Sequence, residues 1–219
     1  RKVQDVIPVR RIWPDGIFLV GTKFTKTYKF TDINYLVASR EDKESMFLTY
    51  SELLNSLDSG AVTKITINNR RMNQANFETS ILMPMQGDFR DEYRGEYNQM
   101  LLDKATGANG IMQEKYITIS VVKKDIEEAR AYFSRVGADL ISHFAALGSK
   151  CVELDATERL RILHDFYRQG EESEFVFNAR EMMKRGHSFK DYICPDGIEK
   201  KSDYLKLGGK FCRVLFLKD

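Results

Sequence analysis

Alternating apolar and polar positions near the amino terminus predict a β-hairpin. Within residues 16–30, aromatic side chains share one parity: Phe24, Tyr28 and Phe30. Polar side chains share the other: Lys23, Thr25, Thr27 and Lys29. This period of two is typical of a strand with one buried face, and only Lys26 interrupts it. Gly21 and Thr22 supply the turn between the two strands.

Helices are predicted where apolar residues recur at spacings of three and four. The first covers 40–58, begins at Ser39 with Asp42 three residues later, and stops at Gly60. Its apolar face contains Met46, Phe47, Tyr50, Leu53, Leu54 and Leu57. A second helix has its apolar stripe between Phe89 and Leu101.

The strongest helical pattern covers 125–147, with Asp125 and Glu128 as a capping-box-like start and Gly148 as its end. Its buried stripe contains Ile126, Ala129, Phe133, Val136, Leu140, Phe144 and Leu147. The next helix is capped by Asp155 and ends at Gly170. Its apolar residues are Leu160, Leu163, Phe166 and Tyr167.

Strand patterns alternate with these helices along the chain. They cover 61–67, 77–83, 116–122, 151–154, 204–207 and 211–217, the last two flanking Gly208 and Gly209. The order favours an α+β fold of layered mixed sheets with covering helices and without a Rossmann or P-loop core. We expect two domains: residues 1–170 form the layered domain, and residues 171–219 form a smaller extension with a terminal β-hairpin.

Composition places the chain among ordinary globular proteins. It has 219 residues, 42% of them hydrophobic and 30% charged, with a formal net charge of +2. The near-zero charge provides no strong overall field for nucleic acid or anionic lipid. Cys151, Cys194 and Cys212 are widely spaced and indicate reduced cytosolic thiols. No apolar run approaches the roughly 20 residues that span a bilayer.

No motif in the sequence predicts catalysis. The three Gly-x-Lys strings, at 21–23, 148–150 and 208–210, lack the first glycine of a phosphate-binding loop. The three histidines lie outside metal-binding patterns, and Cys194 with His187 is weak as a nucleophile pair because Pro195 explains a turn there. We therefore assign no catalytic, metal or cofactor residue. The acidic segment 151–174, with seven carboxylates against three arginines, indicates a solvated helix face.

The first 30 residues carry seven basic and two acidic side chains, a local charge of +5. A basic strip of this kind can bind a phosphate backbone, anionic lipid or an acidic protein, although a solvated strand face is the simpler explanation. We predict a possible interaction surface with Trp13 as an exposed apolar anchor. Its members are Arg10, Arg11, Trp13, Lys23, Lys26 and Lys29.

Specific strings carry a family resemblance. WPDGIFLVGTK at 13–23 and YKFTDINY at 28–35 precede the long helix and the closing strand pair. In this order they resemble the amino-terminal region of TraE/TrbE-like ATPases of conjugative transfer and type IV secretion, in the form carried by mobile elements of Gram-positive bacteria. The resemblance covers nearly all of the chain.

The resemblance implies a non-catalytic docking and assembly domain at the cytoplasmic face of the bacterial membrane. Its expected partners are inner-membrane secretion-channel proteins or neighbouring ATPase copies. The chain opens at Arg1 and stops after the apolar run 214–217, so we expect an excised piece whose RecA-like motor, with its ATP and Mg, lies elsewhere. The alternatives are a nucleic-acid-binding module that contacts transferred DNA through the basic hairpin, and a stand-alone enzyme using Cys194 or paired carboxylates.

Overall fold

A computed structural model of the chain describes residues 2–33, 38–71, 111–182 and 186–217, together with Gly95 and Gln99. The strand predicted over 77–83 and the apolar stripe of the helix predicted from Phe89 to Leu101 lie outside the described residues.

An antiparallel sheet of six strands organises the fold. The strands are β1 Val9–Ile12, β2 Phe18–Val20, β3 Lys23–Phe30, β4 Val62–Arg71, β5 Ile111–Val121 and β6 Cys151–Glu153. Their order is β1-β2-β3-β5-β4, and β6 pairs with the end of β3. The predicted hairpin is confirmed, with Phe18 opposite Thr25 and Val20 opposite Lys23. The α+β class is confirmed, but every pairing among the described strands is antiparallel, so the expectation of mixed sheets was wrong.

The helices begin where their capping residues predict. Those whose bounds fall within the described residues are α1 Arg40–Asn55, α2 Ile126–Ala146, α3 Ala156–Tyr167 and the short α4 Ala179–Met182. The side chains of Ser39, Asp125 and Asp155 each accept a hydrogen bond from a backbone N–H three residues later, which satisfies a donor that the first helical turn leaves open. These caps confirm the predicted starts of α1, α2 and α3.

Helix α2 covers one face of the sheet and builds the larger hydrophobic core. Tyr28 lies opposite Ile117 in the strand register, and both face α2. Phe30 stacks on Phe144 with ring centroids 4.7 Å apart. The buried stripe of α2 includes Ala129, Phe133, Val136, Leu140 and Phe144, as its spacing predicts.

Helix α1 buries less than its pattern predicts. Leu53 is buried in the larger core, and Tyr50 and Leu57 pack against that core. Phe47 and Leu54, which we expected on the buried face, are exposed. A helix lying at the margin of a core buries only a narrow stripe, so part of the predicted face remains in solvent.

The opposite face of the sheet is also covered, by α3. The side chains of Thr25 and Thr27 point to this face, where a solvated surface was one explanation of the sequence pattern. Both residues are buried, and the Thr27 hydroxyl lies 2.8 Å from that of Thr118. Strand β3 is therefore enclosed on both faces, one apolar and one polar.

Residues that follow the predicted domain boundary at 170 pack against residues of the layered domain. Ile193 is fully buried in a second hydrophobic cluster with Ile7, Phe18 and Leu160. A separate antiparallel sheet follows, with strands β7 Ile198–Lys200, β8 Leu205–Leu207 and β9 Lys210–Cys212. The strand predicted over 211–217 ends at Cys212, and the apolar run 214–217 is exposed and outside any strand.

Gly16 makes the closest backbone approach in the hairpin region, and its replacement should be costly. Its φ is +81°, and a Cβ there would lie 2.0 Å from the carbonyl oxygen of Leu154. Gly21, with a φ of +59°, has no atom near the equivalent position. We expect Gly21→Ala to lower the free energy of unfolding by about 1 kcal/mol, from backbone strain alone. Gly16→Ala adds a clash and should cost roughly 3 kcal/mol or more.

Urea unfolding of the two glycine variants measures this difference. Equal losses of stability would contradict the close approach of Gly16 to Leu154.

Candidate functional site

Two cations of the predicted basic strip are held in internal ion pairs. Lys26 lies on the apolar parity of β3, is 7% exposed, and places its Nζ 2.7 Å from a carboxylate oxygen of Glu153. Lys29 lies on the opposite face and pairs with buried Glu114 at 2.8 Å. Lys26 and Lys29 therefore belong to different layers, and the prediction that they share one surface was wrong.

The remaining members of the strip are also dispersed. Arg10 and Arg11 are exposed, Lys23 is half-buried, and the Arg10 guanidinium donates a hydrogen bond to the carbonyl of Gly21 at 3.4 Å. Trp13 is half-buried and packs on Phe24, with ring centroids 5.8 Å apart. The expectation that Trp13 is an exposed anchor was wrong, because the turn that follows it folds the indole onto the core.

A buried ionic group lies between the sheet and α3. The Tyr116 hydroxyl donates to one carboxylate oxygen of Glu114 at 2.6 Å, and the Lys29 ammonium donates to the other at 2.8 Å. Burial alone would raise the pKa of Glu114, but the hydrogen bonds from Lys29 and Tyr116 outweigh it, so this pKa lies below its ordinary value. Burial, and then the bond to Glu114, raises the pKa of Tyr116.

Arg159 is the second buried charge on this face. Its guanidinium donates to the carbonyls of Gly16 and Thr25, both at 2.7 Å, and lies 4.0 Å from the centre of the Phe18 ring. Burial lowers the pKa of Arg159 to about 9, so the side chain stays charged at neutral pH. Arg159 therefore connects α3 to β2, to β3 and to the turn at Gly16 that precedes β2.

Cys194 and His187 lie in different environments. Cys194 is half-buried among the side chains of the second hydrophobic cluster, and burial raises the pKa of its thiol. Burial also raises the pKa of the Cys151 thiol, to about 12. Reactive cysteines have lowered pKa values, so both thiols have the chemistry of structural residues. His187 is exposed in its loop.

Metal binding and membrane crossing each require a particular arrangement of residues, which concerns here the part of the chain that the structure describes. There, no cluster of three or more His, Cys, Asp or Glu side chains has the arrangement needed to hold a metal ion. Within the same residues, none of the helices combines the length and the apolarity that crossing a membrane requires.

Large apolar side chains remain in solvent on α1 and β4. Phe47 and Leu48 are 66% and 62% exposed on α1, and Ile65 and Ile67 are 47% and 58% exposed on β4. The strand register places Ile65 and Ile67 on the sheet face that carries α2, opposite Ile117 and Lys115. We call these four residues the α1–β4 surface. A contiguous patch of exposed apolar side chains is typical of an interaction site.

Sequence reasoning missed Glu114, Arg159 and their partners. Arg159 stands beside Leu160 in the buried stripe of α3, and Glu114 shares its face of β5 with buried Tyr116. The only indication in the sequence is a charged residue at a position that its neighbours predict to be buried. The partners of that residue lie in distant segments of the chain.

A comparison with models of known protein families finds no match to this chain, and a comparison with curated proteins also finds none. The resemblance to conjugative-transfer ATPases therefore stays a prediction from the sequence.

The carbonyls bound by Arg159 should become unsatisfied in Arg159→Met. An unpaired buried polar group costs about 1–3 kcal/mol, so the two carbonyls together predict a loss of about 3 kcal/mol in the free energy of unfolding. Arg130→Met is the matched control because Arg130 lies at the surface and pairs with Asp15 at 2.8 Å. Its loss should be much smaller in the same urea titration, and equal losses would contradict the role of Arg159.

Glu114 should make stability depend on pH in the acid range. Its pKa lies below the ordinary value of 4.5, so its ionic interactions stabilise the fold fully above that pH. This contribution is lost as the pH falls through the folded-state pKa. The stability difference between the wild type and Glu114→Gln should therefore shrink as the pH falls below 4.5. A difference that is constant with pH, measured by urea unfolding, would contradict the ionised pairing.

Proposed function

We propose that this chain is a non-catalytic docking and assembly domain of a conjugative-transfer, type IV secretion ATPase. Its α1–β4 surface binds inner-membrane channel subunits or a neighbouring copy of the ATPase. The sequence resemblance to these ATPases supports this proposal. The observation that carries it is that four large apolar side chains are left in solvent on α1 and β4.

The chemistry of this surface supports binding to protein. Aromatic and aliphatic side chains form the desolvated centre of protein interfaces, where a few of them provide most of the binding energy. Phe47 is the largest of the four and is 66% exposed, so its burial against a partner would remove considerable apolar area from water.

The internal ion pairs favour this function over contact with transferred DNA. Phosphate binding requires lysines and arginines free at one surface. Lys26 and Lys29 instead neutralise Glu153 and Glu114, which leaves the exposed Arg10 and Arg11 as the main cations of the strip.

The proposal assigns the domain to the cytoplasmic face of the bacterial membrane, held there by its protein partners. It also assigns nucleotide hydrolysis, with ATP and Mg, to a motor in another part of the protein. In this scheme the described domain relays force to its partners or positions them, and it catalyses no reaction.

Crosslinking tests the proposal directly. With a photo-crosslinker at Leu48, the 219-residue chain should capture an inner-membrane channel protein of a conjugative system, or a second copy of itself. Phe47→Ser combined with Ile67→Ser should reduce capture severalfold, since the apolar contact area is lost. Phe211→Ser is the matched control, because Phe211 is 70% exposed on the separate three-stranded sheet.

Failure to capture either partner, or an equal loss with the Phe211 variant, would contradict docking through the α1–β4 surface. Filter binding to single-stranded DNA at two salt concentrations tests the alternative. Steeply salt-dependent retention that disappears in an Arg10→Ser, Arg11→Ser variant would favour the nucleic-acid module instead.

A further inference from the structure

The segment 214–217, which follows β9, has the sequence pattern of a strand but lies outside any strand. Its residues are valine, leucine, phenylalanine and leucine, and they are 72%, 85%, 81% and 100% exposed. A contiguous run of exposed apolar side chains marks an interaction site, whereas single ones are ordinary surface. We call 214–217 the donor segment. It belongs neither to the α1–β4 surface nor to the internal ion pairs.

Strand β4 presents a hydrogen-bonding edge that no described strand occupies. On one side β4 pairs with β5 along all ten of its residues, without a bulge. On the other side it is the last of the described strands in the sheet order. Residues 62–71 contain no proline, and Lys64 is the one charged residue between Val62 and Asn69. A long, regular and weakly charged edge of this kind can bind an extended segment of another chain.

The exposed side chains beside this edge match those of the donor segment. On the α2 face of the sheet, Ile65 and Ile67 are 47% and 58% exposed. On the α3 face, Phe166 is 58% exposed and lines the same cavity as Asn68 of β4. A strand added next to β4 can therefore bury apolar side chains of both parities. The donor segment has them, with Leu215 and Leu217 on one parity and Val214 and Phe216 on the other.

We propose that the donor segment of one copy of this chain adds as a strand to the outer edge of β4 in a second copy. Backbone hydrogen bonds along β4 hold the segment, and its side chains cover Ile65 and Ile67 on one face and Phe166 on the other. The occupant is a second copy because the same chain carries both an uncovered edge and an uncovered segment that fits it. The inference rests on the proposed function and names how a neighbouring copy is held.

The path of the chain favours a second copy over the same one. Lys210, the first residue of β9, lines the cavity at Asn68, and residues 211–217 do not. Strand β9 is paired with β8, and the Arg213 side chain donates to the carbonyl of Asp203. To reach β4 of its own chain, the backbone would have to turn back after Arg213, and the donor segment contains neither glycine nor proline. A second copy can meet the segment without such a turn.

Sedimentation equilibrium of the 219-residue chain measures the association. We expect its average mass to rise with protein concentration above that of one copy. Phe216→Ser should weaken the association severalfold, because the donor segment loses its largest apolar side chain. Phe211→Ser is the matched control, since Phe211 is 70% exposed but lies in β9, outside the donor segment. This control should leave the association unchanged.

The acceptor edge is tested in the same way. Ile67→Ser should weaken the association severalfold, because the exposed Ile67 side chain lies beside the edge that receives the segment. Val176→Ser should leave it unchanged, since Val176 is 74% exposed and lies outside the sheet. These residues are all exposed, so their replacement does not disturb the hydrophobic clusters.

Isotope-labelled crosslinking identifies the contact and the copy that provides it. A labelled chain with a photo-crosslinker at Leu215 is mixed with an excess of unlabelled chain that has no crosslinker. After digestion with trypsin, mass spectrometry should find the labelled donor segment joined to the unlabelled peptide 65–70, which trypsin releases by cutting after Lys64 and Arg70.

A chain that stays monomeric at every concentration, or an equal effect of Phe211→Ser, would overturn the inference. Association that survives Phe216→Ser would also overturn it, because two β4 edges would then pair with each other. Crosslinks confined to labelled peptides would place the donor segment on its own chain and contradict the second copy. Crosslinks to a segment other than β4 would contradict strand addition.

These outcomes are distinct from those that test the proposed function. A monomeric chain that still captures a channel protein through Leu48 would remove strand addition and leave the proposed function standing. Association through the donor segment without any capture at Leu48 would keep strand addition and remove the proposed function. Phe216→Ser should leave capture of a channel protein unchanged, because it alters only the donor segment.

Discussion

The buried guanidinium of Arg159 is the interaction on which the arrangement of layers depends. It binds carbonyls from the turn at Gly16 and from β3, and it stacks on Phe18 of β2. A charge removed from water needs several hydrogen bonds to compensate for its lost hydration. Those bonds are available only when α3 lies against the hairpin at one position, so a single side chain specifies how the two layers meet.

The polar face of β3 is a second consequence of the same packing. Helix α3 brings Arg159 to this side of the sheet, where it donates to the Thr25 hydroxyl, while Thr27 and Glu114 bond Thr118 and Lys29 of the neighbouring strands. The apolar face under α2 is held mainly by hydrophobic packing, with the Lys26–Glu153 pair and a hydrogen bond from the Tyr28 hydroxyl to the Phe133 carbonyl as polar contacts. The two faces of the sheet are therefore buried in different environments, one polar under α3 and one apolar under α2.

Much of the local structure could be predicted from the sequence. Ser39, Asp125 and Asp155 indicate helix starts because a cap needs only residues three positions apart. The hairpin at Gly21 follows from equally local rules. Phe166 belongs to the apolar residues of α3 and yet lies exposed, because helical spacing defines a face without defining how much of it a neighbour covers.

The partners of the buried charged groups could not be predicted from the sequence, because these partners are far apart along the chain. Lys29 and Glu114 are 85 residues apart in the chain, and Arg159 reaches carbonyls more than 130 residues away. No spacing rule joins residues at such separations. The basic strip therefore suggested an external surface, although Lys26 and Lys29 pair with Glu153 and with buried Glu114 of neighbouring strands.

The two-sided pairing of β3 has a consequence for how the molecule opens. Its first residues pair with β2 and its last with β6, while β5 runs along the whole of the other edge. Amide protons in such a strand exchange with solvent only when the neighbouring strands also separate. We therefore expect the slowest-exchanging amides of the sheet to lie in β3.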